Sequence, residues 1–296
     1  MNHFDPKVLV KLKSLYLRAR FVVDGVMVGI HPSRAKGLSS EFEEQREYSQ
    51  GDDVRRINWK AYGKFDRYFI KEYREATNLR AHILLDASAS MGYGSDGWRK
   101  FDHGATLTAS LAYLMLKQQD AVGLTIFSDR IEKVIPPKAT HGYLFAILKE
   151  LQDRTPKGQT RTGLILQELA GSLKRRGLVI LISDLLDEPV EVLRGLKQLR
   201  SRGSDVMVFH LLDREELEFP FEEPSLFQDM EEDIQLLTDP RSIKSAYLKT
   251  LHSLIEDYRK SCASYFIDYL LFSTSIGLDR GLIHYLTWRE KFKPHL

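Results

Sequence analysis

Two runs of unbroken apolar residues in this chain end in an acid. Ile83, Leu84 and Leu85 lead into Asp86, and Leu178 to Ile182 lead through Ser183 into Asp184. A continuous apolar run of this length predicts a strand covered on both faces, as in a parallel sheet. Ala121 to Phe127 and Asp205 to Leu211 read the same way, and Ile131 to Ile135 reads as a short edge strand stopped by Pro136 and Pro137.

Between the strands the apolar period changes from continuous to three and four. Leu107, Leu111, Leu114 and Met115 predict a helix over 101–119. Leu144, Ile147, Leu148 and Leu151 predict one over 143–151, and further helices follow at 164–174, 189–200, 243–269 and 281–292. Strands alternating with helices from Ala81 onward mean a doubly wound, mostly parallel α/β sheet with helices on both faces. Ser225 to Thr238 reads as a hairpin at the sheet's edge, after an acidic loop from Asp213 to Pro224.

The first 78 residues break that rhythm. Val8, Leu9, Leu12, Leu15 and Tyr16 predict an amphipathic helix over 5–20, Phe21 to Ile30 a small strand pair, and Phe65 to Arg74 a strand feeding toward the central sheet. The expected organisation is a helix and small β-rich N-terminal appendage over 1–78, then the main domain with its C-terminal helices over 79–296.

Composition excludes more than it selects. The chain has 296 residues, 43% of them hydrophobic, enough for a core and too many for a disordered chain. A net charge of +2 gives no global signal for nucleic acid. One cysteine, Cys262, excludes a disulfide framework and a cysteine zinc site, and suits a reducing compartment. No apolar run approaches the ~20 residues needed to span a bilayer. A cytoplasmic protein is expected.

The chemistry gathers at the strand ends. In an open parallel sheet, ligands bind beyond the carboxyl ends of the strands. There, Asp86-Ala-Ser88-Ala-Ser90 offers a carboxylate and two hydroxyls, hard oxygens of the kind Mg²⁺ accepts. The same residues also read as a Ser-rich turn capping the next helix. Asp184 closes a second buried strand whose end can neighbour the first, and Thr160 sits in a Gly-containing loop. Thr160 is taken rather than Thr162 for its place two residues after Gly158. Both threonines also suit helix capping. No P-loop, His-Glu-x-x-His or Gly-x-Ser-x-Gly appears.

The segment before the main domain narrows the picture. Gly37-Leu38-Ser39-Ser40-Glu41-Phe42, Arg46-Glu47-Tyr48, Gly51-Asp52-Asp53-Val54-Arg55-Arg56-Ile57-Asn58-Trp59 and Lys71-Glu72-Tyr73 resemble the signature of the domain of unknown function 58 (DUF58) family, which couples such a segment to a von Willebrand factor A-like domain. Asn58 departs from the family's usual Asp before the Trp. The resemblance implies a metal-ion-dependent adhesion site (MIDAS) formed by Asp86, Ser88, Ser90, Thr160 and Asp184, holding Mg²⁺ (or Mn²⁺ or Ca²⁺) with a place left for a partner's carboxylate. It also implies a non-enzymatic adaptor or co-chaperone that works with a MoxR-type AAA+ ATPase and its client. A metal-dependent phosphoesterase and a metal-free scaffold are the alternatives.

Overall fold

The computed structural model describes residues 14–29, 44–48, 57, 59, 62–63, 67–72, 79–95, 97–140, 142–173 and 176–291. The chain divides into two compact units, residues 27–78 and residues 1–26 together with 79–296.

The smaller unit contains a two-stranded antiparallel sheet, β1 (Glu44–Glu47) with β2 (Phe69–Glu72), in the register Glu44 to Glu72 and Glu47 to Phe69. β2 therefore does not join the central sheet as the sequence suggested. Tyr62 stacks on Tyr68 with ring centroids 4.6 Å apart. The segments 31–43 and 49–56 lie outside the described residues.

The first described helix, α1, runs Leu15–Gly29. The strand pair expected over 21–30 is overturned. Leu15, Ala19, Val22 and Val26 follow one another at three and four residues and are all buried, so the stripe begun by Leu15 continues through the β-branched valines. Tyr16 packs its ring against Phe145 at 5.9 Å and Tyr113 at 6.2 Å.

The central sheet is built from β3 (Arg80–Asp86), β4 (Ala121–Phe127), β5 (Ile131–Lys138), β6 (Leu178–Ser183), β7 (Asp205–Leu212) and β10 (Asp268–Ser273), in the spatial order β10-β7-β6-β3-β4-β5. All pairings are parallel except β4 with β5. Counted from β3, this is the doubly wound order 3-2-1-4-5-6, whose direction of winding reverses between β3 and β6. The doubly wound, mostly parallel sheet flanked by helices that the sequence led one to expect is the one observed. β5 runs through both prolines, which an edge strand tolerates because no further strand needs their missing N–H groups.

β10 was not expected. Its first two residues, Asp268 and Tyr269, were read as the end of a helix over 243–269, but that helix, α7 (Pro240–Ser264), stops earlier. Phe266 reverses the chain at a positive φ of 55°, a turn made without glycine. The hairpin β8 (Ser225–Gln228) with β9 (Gln235–Thr238) is a separate two-stranded sheet, not an extension of the central one. Within the expected acidic loop, a short helix, α6 (Arg214–Glu218), is capped by Asp213.

Helices cover both sheet faces because the four inner strands, β3, β4, β6 and β7, are buried on both. Leu84, Leu181 and Val208 pack with α4 (Thr162–Ser172), α5 (Pro189–Ser201) and α7. Leu85, Ile182 and Leu211 face α2 (Lys100–Lys117), where Gly104 lets the backbone approach: a Cβ there would stand 2.9 Å from a Leu85 methyl. The remaining helices are α3 (Tyr143–Leu151) and α8 (Asp279–Lys291). Burying a Leu or Ile side chain is worth ~1.5–3 kcal/mol, so this double coverage fixes the strand ends firmly.

Candidate metal-binding site

Asp86 and Ser183 are the last residues of β3 and β6, the two strands at the winding reversal, and Asp184 follows at once. The crevice rule for such sheets places a ligand here. Beyond β3 the chain forms a single 3-10 turn over Ala89–Gly92. The loop carrying Thr160 is tied to it by two backbone hydrogen bonds, Ala89 N–H to Gly158 O (2.9 Å) and Lys157 N–H to Ala87 O (2.8 Å). Gly158 has φ +82°, which side-chain-bearing residues seldom adopt.

That lacing assembles a row of oxygens. Asp86 Oδ1 accepts from the Ser88 hydroxyl (2.7 Å) and the Ser88 N–H (2.9 Å). Ser88 Oγ lies 3.1 Å from Ser90 Oγ, which lies 3.4 Å from Thr160 Oγ1. Hydroxyl–hydroxyl hydrogen bonds cluster near 2.7–2.8 Å. Two oxygens on adjacent corners of a Mg²⁺ octahedron, each about 2.0–2.1 Å from the ion, are about 2.9 Å apart. The two longer spacings of the row, 3.1 and 3.4 Å, exceed both the hydrogen-bond norm and that octahedral edge, so these hydroxyls are not drawn tightly onto one another. Asp86, Ser88, Ser90 and Thr160 are buried, and all of their donor atoms are hard oxygens, which suits a small divalent cation. Thr162 starts α4 instead, and its buried Oγ1 has no hydrogen-bond partner among the described residues. Among the described residues, no cluster of three or more His, Cys, Asp or Glu side chains is placed to hold a metal, so a centre here depends on its hydroxyls.

The electrostatics favour a cation. Burial, reinforced by the charge of Asp184, pushes the Asp86 carboxyl up to about 7, while hydrogen bonds from Ser183 (2.6 Å) and Ser88 pull the other way. Asp184 Oδ2 accepts from Lys100 Nζ at 2.9 Å, and the same ammonium reaches Glu216 Oε1 at 2.6 Å. Burial alone would lower the Lys100 ammonium, but Asp184 and Glu216 more than offset it and hold it charged. Glu216 is raised by burial, with Lys100 opposing. His210 donates from Nε2 to the Asp184 carbonyl (2.9 Å), which leaves Nδ1 to accept from the Tyr269 hydroxyl at 2.6 Å. Among the described residues, Lys100 is the cation supplied to Asp184, and none is found among the hydrogen-bond partners of Asp86.

Of the five residues picked from sequence, the hydrogen-bonded row unites Asp86, Ser88, Ser90 and Thr160, and Asp184 is coupled to them through the charge of Asp86. Lys100, Ser183, Glu216 and Glu231 were not picked. Glu231 carries its carboxylate to Thr160, accepting from its N–H at 2.8 Å and from its hydroxyl. One of the four had a local signal: Asp213 to Glu216 is an acid-x-x-Glu capping box, in which Asp213 N–H donates to Glu216 at 2.6 Å. His103, one turn after the start of α2, lies against the Trp98 ring at 4.1 Å.

A family model described as a protein of unknown function, DUF58, matches residues 44–253. Uncharacterised proteins of Mycobacterium bovis and Mycobacterium tuberculosis are each 26% identical over 230 residues, covering 77% of this chain and 72% of the relative. Among solved structures, the conserved hypothetical protein BatB of Bacteroides thetaiotaomicron is 15% identical over 71% of this chain and 98% of its own, with a TM-score of 0.48. An aerotolerance-related membrane protein of Bacteroides fragilis is 17% identical over 70% and 98%, with a TM-score of 0.47. The SpRpn10 VWA domain is 14% identical over 69% and 94%, with a TM-score of 0.38.

Proposed function

The chain belongs to the DUF58 family, and on that premise we propose that it is a non-enzymatic protein-binding module that engages a partner's carboxylate through a Mg²⁺-type adhesion site. The observation that carries this reading is the row of Asp86, Ser88, Ser90 and Thr160 oxygens at the winding reversal of the sheet, spaced at 2.7, 3.1 and 3.4 Å. Those residues, with Asp184, would hold the ion. When bound, it supplies a Lewis-acidic position that an incoming carboxylate completes. The serines and Thr160 would contribute oxygen without charge, so the protein would set no more than two carboxylates against the ion. Asp86 sets the serines' orientation through Ser88. Lys100 restrains the charge of Asp184.

The partner implied by the family resemblance is a MoxR-type AAA+ ATPase with its client, and the buried, unpaired Cys262 accords with work in the reducing cytoplasm. Among the described residues, no helix is long and apolar enough to cross a membrane. Among the described residues, neither Ser88 nor Ser90 has a histidine as a hydrogen-bond partner, which argues against a serine nucleophile. One observation favours a second reading, a metal-free scaffold: Lys100 already gives Asp184 a buried counter-charge.

Calorimetric titration of Mg²⁺ into the wild type and Asp86→Ala, with capture of a purified MoxR-type ATPase in Mg²⁺ and in chelator, tests the proposal. Metal binding and capture that both vanish with Asp86→Ala or chelator support it. Metal binding that survives Asp86→Ala overturns the site, and capture that survives chelator overturns the bridge. Phosphoester turnover abolished by Asp184→Ala would establish the enzyme alternative.

A further inference from the structure

The hairpin after α6 reaches back over the site. β8 and β9 pair from Ser225–Thr238 to Gln228–Gln235. The tip is closed by Asp229 N–H donating to Ile234 O at 2.9 Å, and Asp229 Oδ1 accepts from the N–H groups of both Glu231 (2.7 Å) and Glu232 (2.8 Å). The backbone under Glu231 is therefore fixed by its own turn. Glu231 then takes up the Thr160 N–H and hydroxyl, and the neighbouring Met230 lays its methyl over Gly92, where an added Cβ would stand 3.3 Å from it. A carboxylate and an apolar side chain, adjacent in sequence, thus contact both loops that build the site.

The strands and the tip of the hairpin are held differently. In the strands, Phe227, paired with Leu236, stacks on Phe219 at 5.8 Å and meets Phe221 edge-on at 5.6 Å. In the tip, Met230 and Ile234 are exposed, so withdrawing the tip uncovers little that is now buried there. A two-stranded hairpin is only marginally stable by itself. Its anchored strand and lightly held tip suit a contact that another ligand can displace.

We propose that Met230-Glu231 is the chain's own occupant of the adhesion site, and that the partner displaces it by offering the same pair: a glutamate carboxylate preceded by a flexible apolar side chain, in an acidic segment. This rests on the adhesion reading above. Thr160 receives the carboxylate through two donors, and Gly92 receives the apolar neighbour because it has no side chain of its own.

The test uses two fluorescent peptides with this chain's sequence over 225–238, one native and one carrying Glu231→Gln. Each is titrated against the wild-type chain and against a full chain whose residues 229–234 are replaced by an Asn-Gly turn. Because a tethered tip competes at a high effective concentration, the native peptide should bind the tip-shortened chain at least ~10-fold tighter than the wild type. The Gln peptide should bind at least ~10-fold more weakly than the native one, and Thr160→Val in the tip-shortened chain should weaken binding of the native peptide. Full-length Glu231→Gln, a nearly isosteric change, gives the same comparison should the shortened chain not fold. Equal binding to occupied and emptied chains, or equal binding of the Glu and Gln peptides, overturns self-occupancy. Repeating the titrations in chelator separates the two ideas: Glu-dependent binding that persists there supports self-occupancy while overturning the metal bridge.

Discussion

Lys100 Nζ stands 2.9 Å from Asp184 Oδ2, and neither side chain retains any surface open to solvent. The ammonium is shared with Glu216, whose side chain keeps 18% exposure. The pair joins the first turn of α2 to the end of β6, so a charge from the helix is set into the base of the site.

Lys100→Met should therefore cost ~3–5 kcal/mol of stability, because removing one partner strands a buried carboxylate. The double variant Lys100→Met with Asp184→Asn should recover a large part of that loss, since the stranded charge goes too. Urea unfolding midpoints of the wild type, both single variants and the double variant measure this. Additive losses in the double variant would show that the two residues do not act as a pair. In any Lys100→Met protein that stays folded, Mg²⁺ affinity should rise, because a competing cation has left Asp184.

The two threonines of the loop should separate cleanly. Thr160→Val removes an oxygen from the row and should weaken Mg²⁺ binding by tenfold or more, ~1.4 kcal/mol. Thr162→Val exchanges a buried hydroxyl without a partner for a methyl of the same shape. It should leave metal binding unchanged and be neutral or slightly stabilising, since a buried unpaired hydroxyl is itself costly. Calorimetry and thermal unfolding on the two variants check both halves. Loss of metal with Thr162→Val but not Thr160→Val would reverse the assignment.

Much of this arrangement was legible because it is local. The runs ending at Asp86 and Ser183 are apolar on both faces, and that is a one-dimensional pattern. The spacing Asp86, Ser88, Ser90 is local as well. What escaped depends on tertiary approach. Lys100 and Glu231 come from elements with no sequence pattern pointing at the crevice. α1 was misjudged because its stripe is completed by Val22, Val23 and Val26, residues that also favour strands, with Gly25 between them. The start of β10 was absorbed into α7 because Phe266 turns the chain without a glycine to mark it.

Gly163 links the loop's position to helix packing. A Cβ there would stand 2.7 Å from Glu191 backbone and side-chain carbon and 2.9 Å from the Val192 nitrogen, so α4 and α5 meet backbone to backbone. Gly163→Ala should cost ~1–3 kcal/mol through overpacking. Because Gly163 lies three residues after Thr160, the displaced helix start should also weaken Mg²⁺ binding. Gly171→Ala, on the same helix with open space around it, is the control and should do neither. Equal effects of the two alanines would show that close approach at Gly163 is not what matters.

Acid should destabilise the protein through three buried histidines. Burial pushes His82, His103 and His210 each down to about 4, against about 6.5 when unfolded. Between those values the unfolded chain binds more protons than the native one. Their stabilising contribution is thus complete above pH 6.5 and is lost as pH falls toward 4, by up to ~2–3 kcal/mol per histidine. Asp86 has the opposite sign. Burial and the nearby Asp184 raise it to about 7, so the native state binds its proton more readily than the unfolded chain. Its contribution is complete below the unfolded carboxyl range and is lost as pH rises through 7. Metal-free protein should therefore be most stable between these two flanks, near pH 6–7, with His210→Gln removing part of the acid flank. Mg²⁺ neutralises the same carboxylate, so it should raise the midpoint most at pH 8.5 and least at pH 4.5. Urea midpoints at pH 4.5, 6.5 and 8.5, with and without Mg²⁺, carry the comparison. A Mg²⁺ effect that is the same at all three values would mean that the ion does not bind against Asp86.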